Sequence, residues 1–178
     1  MTKFIFVRHG KTDYNVLVNS KLNCLPDMVP LSNEGEKQIE KLAGHEVFKD
    51  VDLILTSPYV RALQSAYILS QGLSVKVEVN INLHEWMPDL KYGYTAQDFT
   101  DPYLVRKIFF KAYADHLAGD KTDKEYESLD SAKERVANVM KSYLQYDKVI
   151  IVTHSSIISL FSQKDHEEGD VFEFEYNG

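Results

Sequence analysis

Three short apolar runs, each ending in polar and potentially reactive residues, restrict this chain more than any other feature. Phe4-Ile5-Phe6-Val7 breaks into Arg8-His9-Gly10-Lys11-Thr12. Val51-Asp52-Leu53-Ile54-Leu55 runs into Thr56-Ser57-Pro58 with Arg61 one turn later, and Val149-Ile150-Ile151-Val152 into Thr153-His154-Ser155-Ser156. Short runs of β-branched and aromatic residues without polar alternation fit strands covered on both faces. Helical patterns lie between them, and strand alternating with helix is the signature of a layered α/β fold with a largely parallel sheet. The short crossovers imply right-handed connections. Gly10 permits a sharp exit from the first strand.

After Pro30-Leu31, Ser32 or Asn33 can cap a helix with Ile39, Leu42 and Ala43 on its apolar stripe, and Asn33 with Glu36 resembles a capping box; the helix should end near Gly44. In the next, Ser57 suits the N-cap and Pro58 the first helical position, while Tyr59, Leu63, Ala66 and Tyr67 share a face. Arg61 then sits in the first turn. Val75 to Val79 reads as a strand, and Ala132, Val136, Val139, Met140 and Tyr143 mark a long amphipathic helix. Ser155 or Ser156 opens the last helix. Phe172-Glu173-Phe174-Glu175-Tyr176 alternates as a half-exposed edge strand does. The aromatic stretch from Leu83 to about Leu117 is less regular and looks like a cap or pocket wall inserted between core elements, with Val105, Phe109, Ala112 and Tyr113 at helical spacing.

At 178 residues the chain fits one domain. A net charge of −7 without a long Lys/Arg cluster argues against a nucleic-acid or membrane-surface role, so functional positive charge must be focused in a pocket. No apolar stretch approaches the length of a membrane span, and Met1-Thr2-Lys3 leads directly into a core strand, which points to a soluble cytoplasmic protein. Cys24, the only cysteine, can form no internal disulfide and is read as inert.

Ligands of open α/β sheets collect at the carboxyl ends of parallel strands, so Arg8, His9, Arg61 and His154 should converge there. Two arginines and two histidines predict an anion. Phosphoryl transfer demands positioned positive charge and hydrogen-bond donors around an in-line nucleophile, and arginine forks supply both. A histidine kept neutral by nearby arginines can itself be that nucleophile. His45, His84, His116 and His166 lack a strand-end context and are assigned to surface or local hydrogen bonding; Lys11, Lys21, Lys91 and Lys107 read as solvated.

These segments resemble the histidine phosphatases, the superfamily that also holds the cofactor-dependent phosphoglycerate mutases. Phe6-Val7-Arg8-His9-Gly10-Lys11-Thr12, Pro30-Leu31-Ser32-Asn33-Glu34-Gly35, Thr56-Ser57-Pro58-Tyr59-Val60-Arg61-Ala62 and Val152-Thr153-His154 carry the resemblance, which spans most of the chain. It implies a phosphoglycerate mutase-like three-layer α/β/α sandwich, its mostly parallel sheet bearing an antiparallel edge strand, in a single domain over 1–178 with the insertion around 83–117. It further implies that His9 is phosphorylated, that Arg8, Arg61 and His154 bind the phosphoryl group, that Asn15 adds a donor, and that neither metal nor cofactor is needed. The acid of the family maps onto Glu85, which would protonate the leaving oxygen and later activate water. Met87-Pro88-Asp89 interrupts the glycine-rich pattern usual after that acid, leaving Asp89 and Asp98 as substitutes. Ser155 stands where glycine is usual and can cap a helix and donate to phosphate; Val16 to Val29 lacks the glycine common there.

The function expected is metal-independent hydrolysis of a small phosphomonoester through phospho-His9. A mutase-type phosphotransferase and a non-catalytic phosphate-binding regulator are the alternatives. Only Asn177 and Gly178 follow Tyr176, leaving no tail to close over the pocket as mutases usually have, and no core residue is missing as a non-catalytic protein would suggest. No G-x-G-x-x-G or G-K-[ST] follows a strand, which argues against a nucleotide-binding module. Arg8 and Arg61 would repel a metal ion held by His9 and His154.

Overall fold

A computed structural model describes residues 1–16, 26–87, 111, 113–115, 117, 118 and 127–178. Its sheet comprises β1 (Thr2–Arg8), β2 (Leu53–Thr56), β3 (Val77–Val79), β4 (Lys148–Thr153) and β5 (Val171–Tyr176) in the spatial order β3-β2-β4-β1-β5. The first four run parallel, and β5 pairs antiparallel with β1 at one edge. Helices α1 (Asn33–Leu42), α2 (Val60–Leu73), α3 (Leu129–Lys141) and α4 (Ser155–Ser162) cover it.

Strand side chains alternate between faces, so each apolar run feeds two cores. Ile5, Val7, Ile54, Ile150 and Val152 pack with Ile39 of α1 and with Ala62, Ala66 and Leu69 of α2. Phe4, Phe6, Leu53, Leu55, Val149 and Ile151 pack on the opposite face with Val136 and Met140 of α3 and with Ile157 and Ile158 of α4. The result is the expected three-layer α/β/α arrangement. The partly buried Phe172, Phe174 and Tyr176 of β5 join the second core while Glu173 and Glu175 face water, as alternation at an edge requires.

Several local expectations change. Ser32 alone caps α1, its Oγ accepting from the Gly35 N–H at 3.1 Å. The position that a capping box would give to glutamate is glycine, because a Cβ on Gly35 would lie 2.1 Å from the Lys11 carbonyl oxygen. Gly10 answers to the same contact: its φ is not positive, but a Cβ there would lie 2.7 Å from the Gly35 carbonyl oxygen and 2.9 Å from Ile39. Close approach, rather than a sharp turn, thus requires both glycines. Ser57 is not the cap of α2; Tyr59 holds that position without a side-chain cap bond. The buried face of α2 runs through Arg61, Ala62, Ser65, Ala66 and Leu69, whereas Tyr67 is 64 % exposed.

Of the aromatics assigned to a pocket wall, Trp86 is fully buried in the second core, and Tyr113 packs edge-on against it with ring centroids 5.2 Å apart. Tyr92, Tyr94, Phe99, Tyr103, Val105, Phe109, Phe110 and Ala112 lie outside the described residues, as do Cys24, Lys21, Lys91, Lys107, His116, Asp89 and Asp98.

Candidate active site

Strand register brings the reactive residues together. Arg8 lies beside Thr153 and Thr56 beside Val152, so the next residues, His9, His154 and Ser57, leave three adjacent strands at one edge. Backbone bonds continue the pairing past the strand ends: His9 N–H donates to Thr153 O at 3.1 Å and Ser57 N–H to Val152 O at 3.0 Å. Ser65, one turn after Arg61, receives Gly10 N–H at 3.1 Å and donates to Arg61 O at 2.8 Å, tying the first strand exit to α2.

His9, Arg61 and His154 are buried. His9 Nδ1 lies 2.8 Å from its neighbour's carbonyl, Gly10 O, which can only accept, so the ring proton sits on Nδ1 and Nε2 keeps its lone pair. Arg61 Nε–H donates to that Nε2 at 3.1 Å. The rings of His9 and His154 are 5.2 Å apart, and Tyr59 stands edge-on to His154 at 5.0 Å with the Arg61 guanidinium 5.0 Å from its centroid. Burial first, then Arg61, holds His9 well below the ordinary histidine value, and the same causes in the same order depress His154. Both rings are therefore neutral.

Ser57 Oγ accepts Tyr59 N–H at 3.3 Å and lies 2.8 Å from His154 Nε2. The hydroxyl and the ring nitrogen share one hydrogen bond, in which the His154 tautomer sets the donor. Among the described residues, the buried His154 Nδ1 and the buried Arg8 Nε have no hydrogen-bond partner. The Arg8 N–H, a buried donor without an acceptor, suits a ligand rich in acceptor oxygens.

Glu85 belongs to the same electrostatic neighbourhood. Burial raises its carboxyl above the ordinary value, opposed by the Trp86 N–H, which donates to Oε1 at 2.8 Å, by Arg61 and Arg8, and by the Ser156 hydroxyl. A bracket fixes its backbone. Arg135 of α3 donates from Nε to Glu127 Oε1 at 2.6 Å, from Nη2 to Glu127 Oε2 at 3.1 Å and to Glu85 O at 3.4 Å, and from Nη1 to Asn82 O. Glu127 in turn accepts Met87 N–H at 3.2 Å through Oε2 and the Trp86 indole N–H at 2.7 Å through its carbonyl.

Two predicted donors are engaged elsewhere. Asn15 is exposed and gives both its backbone and side-chain N–H to Asp13 Oδ1 at 3.0 Å; no described contact joins it to His9. Ser155 donates to His166 O at 3.1 Å, the carbonyl that also receives Arg8 Nη1. His166 therefore acts through its backbone to anchor Arg8, beyond the local role expected of it. His84 is half-buried with Nδ1 2.6 Å from Glu85 O, His45 caps a short turn through Val47 N–H, and Lys11 pairs with Glu34 at 2.5 Å. Sequence reasoning missed Ser57 as a partner of His154, although the strand-end rule that selected His9 and His154 selects it too. Nothing in the sequence pairs Glu127 with Arg135, because Glu127 precedes the helix and faces it only through the fold.

A mostly parallel sheet with helices on both faces defines an α/β protein, and the two arginines and two neutral imidazoles at its carboxyl edge have the chemistry that suits an oxyanion. The chain belongs to the histidine phosphatase superfamily (branch 1), whose sequence model matches residues 4–168. It is 28 % identical over 169 residues to a 2,3-bisphosphoglycerate-dependent phosphoglycerate mutase of Thermoplasma acidophilum, covering 92 % of this chain and 78 % of that one. It is 31 % identical over 159 residues to a Bacillus subtilis protein named uncharacterized phosphatase PhoE, covering 89 % and 74 %. Among solved structures, YhfR of Bacillus stearothermophilus shares the phosphoglycerate mutase-like fold with a TM-score of 0.73 at 20 % identity, covering 100 % of this chain and 93 % of that one.

Proposed function

We propose that the protein hydrolyses phosphomonoesters, without a metal, through a phosphohistidine at His9 Nε2. The observation that carries this reading is the Nδ1 to Gly10 O bond, which leaves the Nε2 lone pair available in a buried, arginine-flanked ring. In the first displacement that lone pair forms the P–N bond while the ester P–O pair leaves on the organic oxygen, which takes the proton of Glu85. Arg61 Nε–H passes from the imidazole to a phosphoryl oxygen, and Arg8 and His154 donate to the same group. In the second displacement Glu85, now a carboxylate, accepts a proton from water as its oxygen attacks phosphorus, and the P–N pair returns to Nε2. Neutral His9, protonated Glu85 and inorganic phosphate result.

The test is release of p-nitrophenol from p-nitrophenyl phosphate by EDTA-treated protein. The parent should turn over, His9→Ala should lose at least roughly 10³-fold in kcat, and an acid-labile, alkali-stable phosphoenzyme should be trapped from the parent alone. Turnover surviving the substitution would sink the mechanism. The name of the Thermoplasma relative supports a second reading, mutase-type transfer. In that case the trapped phosphoryl group would pass to a phosphoglycerate faster than to water.

A further inference from the structure

A neutral imidazole carries its proton on Nδ1 or on Nε2, and the hydrogen bond made by one nitrogen sets the state of the other. In His9 the Nδ1 proton faces Gly10 O at 2.8 Å, which leaves the lone pair at Nε2. His154 is buried and neutral as well, but it is the opposite nitrogen that the protein engages. Its Nε2 lies 2.8 Å from Ser57 Oγ, while its buried Nδ1 has no hydrogen-bond partner among the described residues. Ser57 is itself fully buried, and its Oγ already accepts the Tyr59 N–H at 3.3 Å.

We propose that Ser57 is a positioning residue: its hydroxyl donates to His154 Nε2, keeps the ring proton on Nδ1, and so makes His154 present an N–H to the phosphoryl oxygens. The inference rests on the hydrolase reading of His9. Were Nε2 the donor, Ser57 Oγ would accept twice, and its own proton would be buried with no acceptor among the described residues. Nδ1 would then be a buried lone pair, which repels an oxyanion where the mechanism needs a donor. With the proton on Nδ1, a single bond removes both conflicts. Donors then run in one direction, from Tyr59 N–H to Ser57, from the Ser57 hydroxyl to Nε2, and from Nδ1–H to the bound anion, each polarising the next. The two histidines thus share one tautomer and use it in opposite senses. His9 offers its lone pair to phosphorus, and His154 offers its proton to oxygen.

The test reads the ring directly. In a nitrogen NMR spectrum of the histidine side chains, with the His154 signals assigned by their loss in His154→Ala, the parent should show a protonated Nδ1 and an unprotonated Nε2. A protonated Nε2 would overturn the proposal, and this measurement needs neither turnover nor a change at Ser57. Ser57→Ala should move the proton toward Nε2 and weaken calorimetric binding of inorganic phosphate by about tenfold, the scale of one hydrogen bond to an ion. Because Ser57 acts through His154, the same substitution made in His154→Ala should cost nothing further. An equal loss in both backgrounds would mark a merely structural serine, and an unmoved tautomer in folded Ser57→Ala would equally overturn the assignment. Absence of His9-dependent ester turnover would overturn the hydrolase reading alone, since the spectrum still decides which nitrogen Ser57 controls.

Discussion

His9 and Glu85 both feel Arg61 and Arg8, yet their ionisation is displaced in opposite directions. Burial removes the proton from an imidazole and keeps it on a carboxyl, because in each case the charged form loses its water. One environment thus favours the neutral form of both groups, the form that the proposed roles of nucleophile and proton donor need. Glu85→Gln should cut kcat/KM for alkyl phosphates by about 10²–10⁴-fold but spare p-nitrophenyl phosphate, whose phenolate leaves without a proton. With alkyl phosphates the alkaline limb of the parent's pH profile should lie above the ordinary carboxyl range, and the variant should lack that limb. Equal losses on the two substrate types would remove Glu85 from the proton-donor role. The convergence of Arg8, His9, Arg61 and His154 was legible because Arg8, His9 and His154 follow apolar runs and Arg61 lies in the first turn of the helix after one. Ser57 was misread because a serine before proline fits a helix cap equally well, and only the 2.8 Å approach of His154 Nε2 separates the two uses. Asn15 illustrates the converse, since its local turn with Asp13 claims the amide.

At the level of elements, the apolar runs of β1, β2 and β4, the alternation of β5 and the helical stripes of α1 and α3 could be read directly, because the faces an element buries dictate which of its residues are apolar. The attachment of α3 to the Glu85 segment could not. Arg135 and Glu127 have side chains only 13 % and 8 % exposed, and their pairing crosses from a loop to a helix with no sequence spacing to announce it. Removing one member leaves the other buried and uncompensated, a loss of about 3–5 kcal/mol. Arg135→Ala should accordingly lower the melting temperature. It should also lower kcat/KM for alkyl phosphates more than for p-nitrophenyl phosphate, because Glu85 O and Asn82 O lose their anchor. An unchanged ratio between the two substrates in a folded variant would reduce the pair to a purely structural role.

For the whole molecule, the depressed histidines couple stability to pH. An unfolded chain takes up protons on His9 and His154 near the ordinary value of 6.5, while the folded chain resists them to well below it. Their contribution is thus present above 6.5 and lost as pH falls beneath it. Glu85, raised from 4.5, acts with opposite sign, its contribution declining as pH rises above that value. Melting temperatures at pH 7.5 and 5.5 should therefore fall more steeply for the parent than for His9→Asn, a comparison in which Glu85 is common to both; identical slopes would contradict the sign assigned to His9. The order of strands in the sheet also governs how the molecule comes into being. Among the described residues β1 pairs with distant strands alone: with β4, where Lys3 meets Lys148, and with β5, where Thr2 meets Tyr176. During synthesis its hydrogen-bonding edges must wait for nearly the whole chain to emerge. His9 acquires its neighbours only when that long-range closure is complete, so catalytic competence should arrive with the last and slowest step of folding rather than grow in gradually.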